Sequence, residues 1–271
     1  MGYDDFRALR VRIEQGVAWV TIDHPPINLF DLVLITEMDR LGQALEADPS
    51  VRVVVMESAD PEFFVAHADV ELILRLPASP AATPEPSFFQ RMVDRFRTMP
   101  KATLAKIEGI CRGGGSELVL SMDMRFAALG RAVLGQPEVA VGILPGGSGT
   151  QRLPRLVGRS RALEIALGAE DFPADLAERY GYVNRALPPA ELGPFVERLA
   201  RRIASFPPEA VARAKACVVA ADAGVCDGLA LEARLFDECV RMPEARRRME
   251  AFLAMGGQTR AVESRVGLDF G

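Results

Sequence analysis

Three consecutive glycines, Gly113, Gly114 and Gly115, run directly into the apolar stretch Leu118–Leu120, carrying Glu117 with them. Bare glycine backbone opening a helical segment presents free N–H groups beside a carboxylate. Such a pairing can hold a developing oxyanion while an acid or base moves a proton. Twenty-one residues on, a second carboxylate, Glu138, stands in the segment Gly135-Gln136-Pro137-Glu138. On these residues alone, a glycine turn followed by two solvated glutamates is an equally good reading.

Charge and rare residues narrow the function classes. The 32 basic residues are interspersed with 37 acidic ones, for a net charge of −5, which is no nucleic-acid footprint. The basic cluster Arg246–Arg248 reads as one face of a helix. The four cysteines, Cys111, Cys217, Cys226 and Cys239, lack C-x-x-C spacing, and two histidines are too few for a histidine-based metal site. No metal is expected, and the cysteines read as buried thiols in a reducing compartment. Met1–Arg10 is polar and charged, unlike a signal peptide, and no run approaches the ~18 apolar residues of a membrane span. The expectation is a soluble, cytoplasmic protein with no membrane partner.

Periodicity gives the elements. Leu9–Glu14 and Val17–Asp23 alternate around Gln15-Gly16, predicting a hairpin. Asp31–Ala47 shows helical spacing in Leu32, Ile35, Met38, Leu41 and Leu45. Val51–Met56 and Thr103–Ile107 read as strands, Met124–Ala128 and Val133–Leu134 as short strands. Val70–Leu76, Phe88–Met99 and Gly115–Met122 read as helices, and a further helix opens at Gly146–Thr150 and runs to about Val157. Pro77–Pro86, with four prolines, reads as an irregular loop. The order is strand, strand, helix, repeated. After about residue 190 only helices are predicted: Glu191–Ala204, Pro208–Ala221, Cys226–Arg241 and Pro243–Ala254. The division expected is a core with the active site over 1–200 and a helical region over 201–271.

Several segments together resemble the crotonase superfamily, typified by enoyl-CoA hydratases and isomerases. They are D-H-P-P-I-N-L at Asp23–Leu29, F-V-A-H-A-D at Phe64–Asp69, P-K-A-T-L-A-K-I-E-G at Pro100–Gly109 and G-G-G-S-E-L at Gly113–Leu118. D-M-R-F-A at Asp123–Ala127, G-Q-P-E-V-A-V-G-I-L-P-G-G at Gly135–Gly147 and T-Q-R-L-P-R-L-V-G at Thr150–Gly158 follow in family order, so the resemblance spans roughly residues 10–255. It implies an α/β fold, a spiral of repeated ββα units with a C-terminal all-helical region that packs at subunit contacts. It also implies a homotrimer or a dimer of trimers.

The resemblance further implies the chemistry. Two backbone N–H groups, of Ala68 and Gly114, hold the thioester oxygen of an acyl-CoA. Glu117 and Glu138 act as acid and base, adding water across C2=C3 of a 2-enoyl-CoA. Substrate-binding positions are Ala66, His67, Asp69, Gly113, Pro137 and Gly146. No cofactor is implied, since coenzyme A arrives as part of the substrate. His67 stands where the family usually has glycine. The nearest alternative is an enoyl-CoA isomerase on the same site, which needs one carboxylate. Thioester hydrolysis and decarboxylation rank lower, as does a non-catalytic, RNA-binding relative, which would want a basic stripe this chain lacks.

Overall fold

Runs of β-branched residues build the centre of the molecule. In the computed structural model, which describes residues 3–74, 86–222 and the single positions 243, 247 and 254, Val53–Ser58 forms strand β3 and buries its first four residues without alternation. That pattern belongs to a parallel strand covered on both faces. The hairpin is present, β1 Leu9–Glu14 against β2 Val17–Ile22, antiparallel, with Gln15 and Gly16 both at positive φ as a two-residue turn requires. Helix α1, Leu32–Ala47, is capped by the Asp31 side chain and buries Leu34, Ile35, Met38, Leu41 and Leu45. Leu32, counted into the apolar stripe from its spacing, is 64% exposed in the first turn.

The spiral follows from how strands are shared between two sheets. β5 Ala102–Ile107, β7 Met124–Ala128 and β10 Arg185–Leu187 complete a six-stranded sheet in the order β1-β2-β3-β5-β7-β10. β4 Phe63–Val65, β6 Ile110–Arg112, β8 Val133–Gly135 and β9 Asp171–Pro173 form a second sheet, order β4-β6-β8-β9. Each turn therefore gives one strand to each sheet: β3 then β4, β5 then β6, β7 then β8, with parallel pairing between turns. A helical segment follows each pair. These are α2 Val70–Leu74 with α3 Phe88–Thr98, then α4 Gly114–Ser121, then a short 3-10 turn, Glu138–Val141. Helices α5 Gly149–Val157, α6 Arg159–Gly168 and α7 Ala174–Tyr180 come after it.

Two compact units divide the chain, Met1–Ser205 and Phe206–Gly271. The division falls beyond residue 200 because α8, Pro189–Ala204, belongs to the first unit. It buries Leu192, Val196, Ala200 and Ala204 and packs on β2, β3, β5 and β7. In the second unit, α9, Pro208–Ala220, begins with proline at its first turn and has no buried residue. The predicted loop Pro77–Pro86, apart from Pro86, and the predicted helices Cys226–Arg241 and Pro243–Ala254, apart from the single positions, lie outside the described residues, as do Cys226, Cys239, Arg246 and Arg248.

Candidate active site

Three adjacent parallel strands of the second sheet end at one place. β4 runs into Ala66–Asp69, β6 into Gly113–Glu117 and β8 into Gln136–Glu138, so neighbouring carboxyl ends deliver every motif residue but Gly146. Open parallel sheets bind ligands at such ends, where loops from adjacent strands converge.

The backbone donors come first. Ala68 forms a parallel bridge with Phe30, in which the Phe30 N–H binds the His67 carbonyl at 3.0 Å and the Asp69 N–H binds the Phe30 carbonyl at 3.0 Å. In that register the N–H of Ala68 points the other way, and it meets no acceptor among the described residues. Gly114 opens α4, so its N–H lies in the first turn and has no partner within the helix. The two donors are neighbours. A Cβ added to Gly114 would sit 3.4 Å from Ala68 Cβ and from Phe89 Cζ, and 3.5 Å from Phe30. Phe30 and Phe89 meet edge to face at 5.4 Å and wall this spot with hydrocarbon. Gly113 turns the chain into α4 at φ 50 and ψ −125, backbone that a side chain would strain.

The carboxylates are buried beside them. Glu117, at 3% exposure, lies in the first turn of α4. Its Oε1 accepts three backbone N–H groups, from Gly147 at 2.7 Å and from Ser148 and Gly149 at 2.8 Å. Ser148, at φ 143, is held in strained backbone to bring its N–H there. The helix predicted to open at Gly146 starts at Gly149 for this reason: the preceding N–H groups turn toward Glu117. Burial raises the Glu117 pKa above the ordinary 4.5, and the three N–H bonds pull the other way. Glu138, at 9% exposure, begins the 3-10 turn. Burial pushes its carboxyl up to about 7; its own backbone N–H opposes the shift, and the Glu117 charge adds to it.

The remaining motif residues fall around this centre in different ways. His67 Nδ1 lies 2.8 Å from the Ala68 carbonyl, which only accepts, so this nitrogen carries the proton. Its Cβ and Glu138 Oε1 flank the same face of Gly113, at 3.5 and 3.1 Å from where a Cβ would stand. Asp69 accepts the Glu71 N–H at 2.9 Å, turning the chain into α2. Ala66 is buried and Pro137 immediately precedes the 3-10 turn. Gly146 is exposed, with its carbonyl taken by Gln90 Nε2 at 2.8 Å. Arg112 pairs with Asp171, and Arg152 pairs with Asp94 rather than with Glu138. Among the described residues no cluster of His, Cys, Asp or Glu is arranged to hold a metal, and no helix is long and apolar enough to cross a membrane.

Two features of the site carry no motif of their own. The Gly147–Gly149 nest is visible in sequence only as glycines, since backbone N–H direction has no residue signature. Gln136 sits in a quoted motif, yet its role is set by packing. Its amide, oriented with NH2 toward Glu138, donates to Oε2 at 3.0 Å and Oε1 at 3.1 Å.

A spiral of paired strands, with amides that meet no acceptor among the described residues and buried carboxyls at one sheet end, defines a class, and comparison with known proteins gives the family. The family model for enoyl-CoA hydratase/isomerase matches residues 12–257, and the chain belongs to that family. It is similar to the short-chain-enoyl-CoA hydratase of Clostridium acetobutylicum, 34% identical over 89% of this chain and 92% of that one. It is similar also to the crotonyl-CoA hydratase of Syntrophomonas wolfei, 35% identical with the same coverage. Among solved structures, an enoyl-CoA hydratase from Bacillus anthracis superposes with a TM-score of 0.83, at 27% identity over 93% of this chain and 97% of that one.

Proposed function

We propose that this protein hydrates short-chain 2-enoyl-CoA thioesters, with Ala68 and Gly114 as the oxyanion donors, Glu117 as base and Glu138 as acid. The observation that carries the reading is the juxtaposition of two unpartnered N–H groups with two buried carboxyls of unlike environment. Glu117 has one oxygen fixed by three N–H donors, which favours the ionised form and leaves Oε2 for water. Glu138, with its pKa near 7, keeps a proton in a good fraction of molecules at neutral pH.

The electron flow then balances. Glu117 takes a proton from water as the oxygen bonds to C3, and the π pair moves through C2 onto the thioester oxygen. The N–H groups of Ala68 and Gly114 hold that charge, each worth on the order of 3 kcal/mol in such sites. As the enolate collapses, Glu138 gives its proton to C2, forming a 3-hydroxyacyl-CoA. Backbone donors and two carboxyls suffice for this step, so no cofactor enters the reading, and coenzyme A comes with the substrate. The names of the relatives, short-chain and crotonyl, set the first substrate to try. The same reading includes a homotrimeric assembly in the cytoplasm, where a buried free thiol such as Cys111 stays reduced.

Incubation of the pure protein with crotonyl-CoA, followed by loss of the enoyl absorbance, tests the proposal. Turnover is expected in the wild type, with a drop of at least ~100-fold in Glu117→Gln and in Glu138→Gln. Glu138→Gln should impair hydration more than any residual double-bond shift. Wild-type turnover in either variant refutes the role given to that residue.

A further inference from the structure

One buried titratable side chain near the site has no part in the chemistry above. Tyr182, fully buried, places its hydroxyl 2.5 Å from Ser116 Oγ. Ser116, also fully buried, neighbours Glu117 on α4 and lies 3.1 Å from the Gln136 amide. Gln136 in turn contacts both oxygens of Glu138. A file of polar groups therefore runs from the core to Glu138.

With Glu138 ionised, every hydrogen in that file has one direction. Facing the Glu138 carboxylate, the Gln136 amide presents NH2, so its C=O faces Ser116. A carbonyl only accepts, so the Ser116 hydroxyl donates to it. Ser116 Oγ then accepts, and Tyr182 donates. The file is head to tail, and each bond polarises the next. Tyr182 cannot drift: its N–H binds the Ala177 carbonyl at 2.8 Å, and its carbonyl accepts Arg125 Nε at 2.9 Å. The residues facing this file are Glu117 from α4, His67 across Gly113 and Cys111 on β6, with Arg125 on β7 beside Tyr182.

We propose that Tyr182 is a positioning residue for Glu138, acting through Ser116 and Gln136 to keep Gln136 a donor and so leave the proton of the acid free to point at the substrate. The proposal rests on the acid role given to Glu138. Without the Tyr182 hydroxyl, Ser116 is free to reverse, and Gln136 can turn its C=O to Glu138. A protonated Glu138 then donates to Gln136, which stabilises the acid and misdirects its proton.

Tyr182→Phe keeps the ring, and Ser116→Ala breaks the file at a second point should the first variant fold poorly. In both, kcat for crotonyl-CoA should fall about three- to tenfold, the scale of one hydrogen bond, with KM within about twofold. Isotope-edited infrared titration of the glutamate carboxyls gives a readout that does not depend on turnover. The band that vanishes in Glu138→Gln is that of Glu138, and its midpoint should move up by about half a pH unit in both relay variants. If Glu138→Gln turns over normally, the acid role falls and takes this proposal with it. If Glu138→Gln is inactive while Tyr182→Phe and Ser116→Ala keep the wild-type midpoint and kcat, the relay alone is overturned.

Discussion

Gly114 and Gly115 are adjacent glycines with opposite demands. A methyl on Gly114 makes ordinary contacts at 3.4 Å, so Gly114→Ala should fold with an unchanged Tm. It would nevertheless fill the space beside the free N–H, and turnover should drop about 100-fold, the effect of losing one oxyanion donor. A methyl on Gly115 would come within 2.6 Å of Val65 Cβ and 2.7 Å of its carbonyl oxygen. Gly115→Ala should therefore lose about 1–3 kcal/mol of stability by overpacking. Thermal melts and crotonyl-CoA kinetics on the two variants separate them; a Gly114→Ala enzyme with full activity would remove that residue from the site. Glu138 makes a second prediction at this scale. In the proposed mechanism hydration needs it protonated, so kcat should decline as pH rises through about 7. Its raised pKa means that the folded state binds more protons than the unfolded one between about 4.5 and 7, so this group's contribution to stability falls as pH rises through that window. Glu138→Gln should accordingly melt above wild type at pH 8, with the difference closing near pH 5.

Elements were legible in the sequence where a period had room to repeat. The hairpin, α1, α3, α4 and strand β5 are legible to within two residues, because six or more positions of alternation or helical spacing specify them. β3 was found two residues early, Val51 belonging instead to a turn whose N–H binds the Asp48 carbonyl at 3.2 Å. Strands β4, β6, β9 and β10 are not legible, since three residues carry no period and only pairing with neighbours makes them strands; β8, equally short, is legible only as the apolar pair Val133-Leu134. Helices α6 and α7 are not legible either; α6 buries only Ala162 and Ile165, too few to draw a stripe. The glycines and glutamates of the site were legible as residue types in family order, whereas Tyr182 was not, because nothing near it in sequence points to α4. What ties its segment there is Arg125, on β7. The buried guanidinium donates to the carbonyls of Val119 at 3.2 Å and Met122 at 2.8 Å, closing the C-terminal end of α4, and to that of Tyr182. Arg125→Met would leave three carbonyls without that donor. A loss of about 3 kcal/mol in denaturant unfolding is expected, with kcat falling as the Tyr182 segment loosens. Unchanged unfolding would mean that water replaces the guanidinium fully.

At the scale of the molecule, the first unit leaves hydrocarbon uncovered next to its own active site. Val141, which ends the 3-10 turn begun by Glu138, and Leu144, three residues on, are each 63% exposed, and that turn packs against α6, where Leu163 and Leu167 are exposed at 49% and 66%. Single exposed apolar side chains are unremarkable, but three leucines and a valine on two neighbouring elements are of the kind that marks a subunit contact. The trimer proposed above would cover such a patch, and it would also stiffen the turn that holds Glu138. Light scattering on the intact chain should then give triple the 29.4 kDa chain mass. Leu144→Glu with Leu167→Glu, which place charges on the patch without touching the buried core, should shift the protein toward a monomer and lower kcat together with the mass. A wild-type monomer with full activity would refute the assembly. A trimer untouched by the two charges would place its contact on another surface, leaving this patch to a different role.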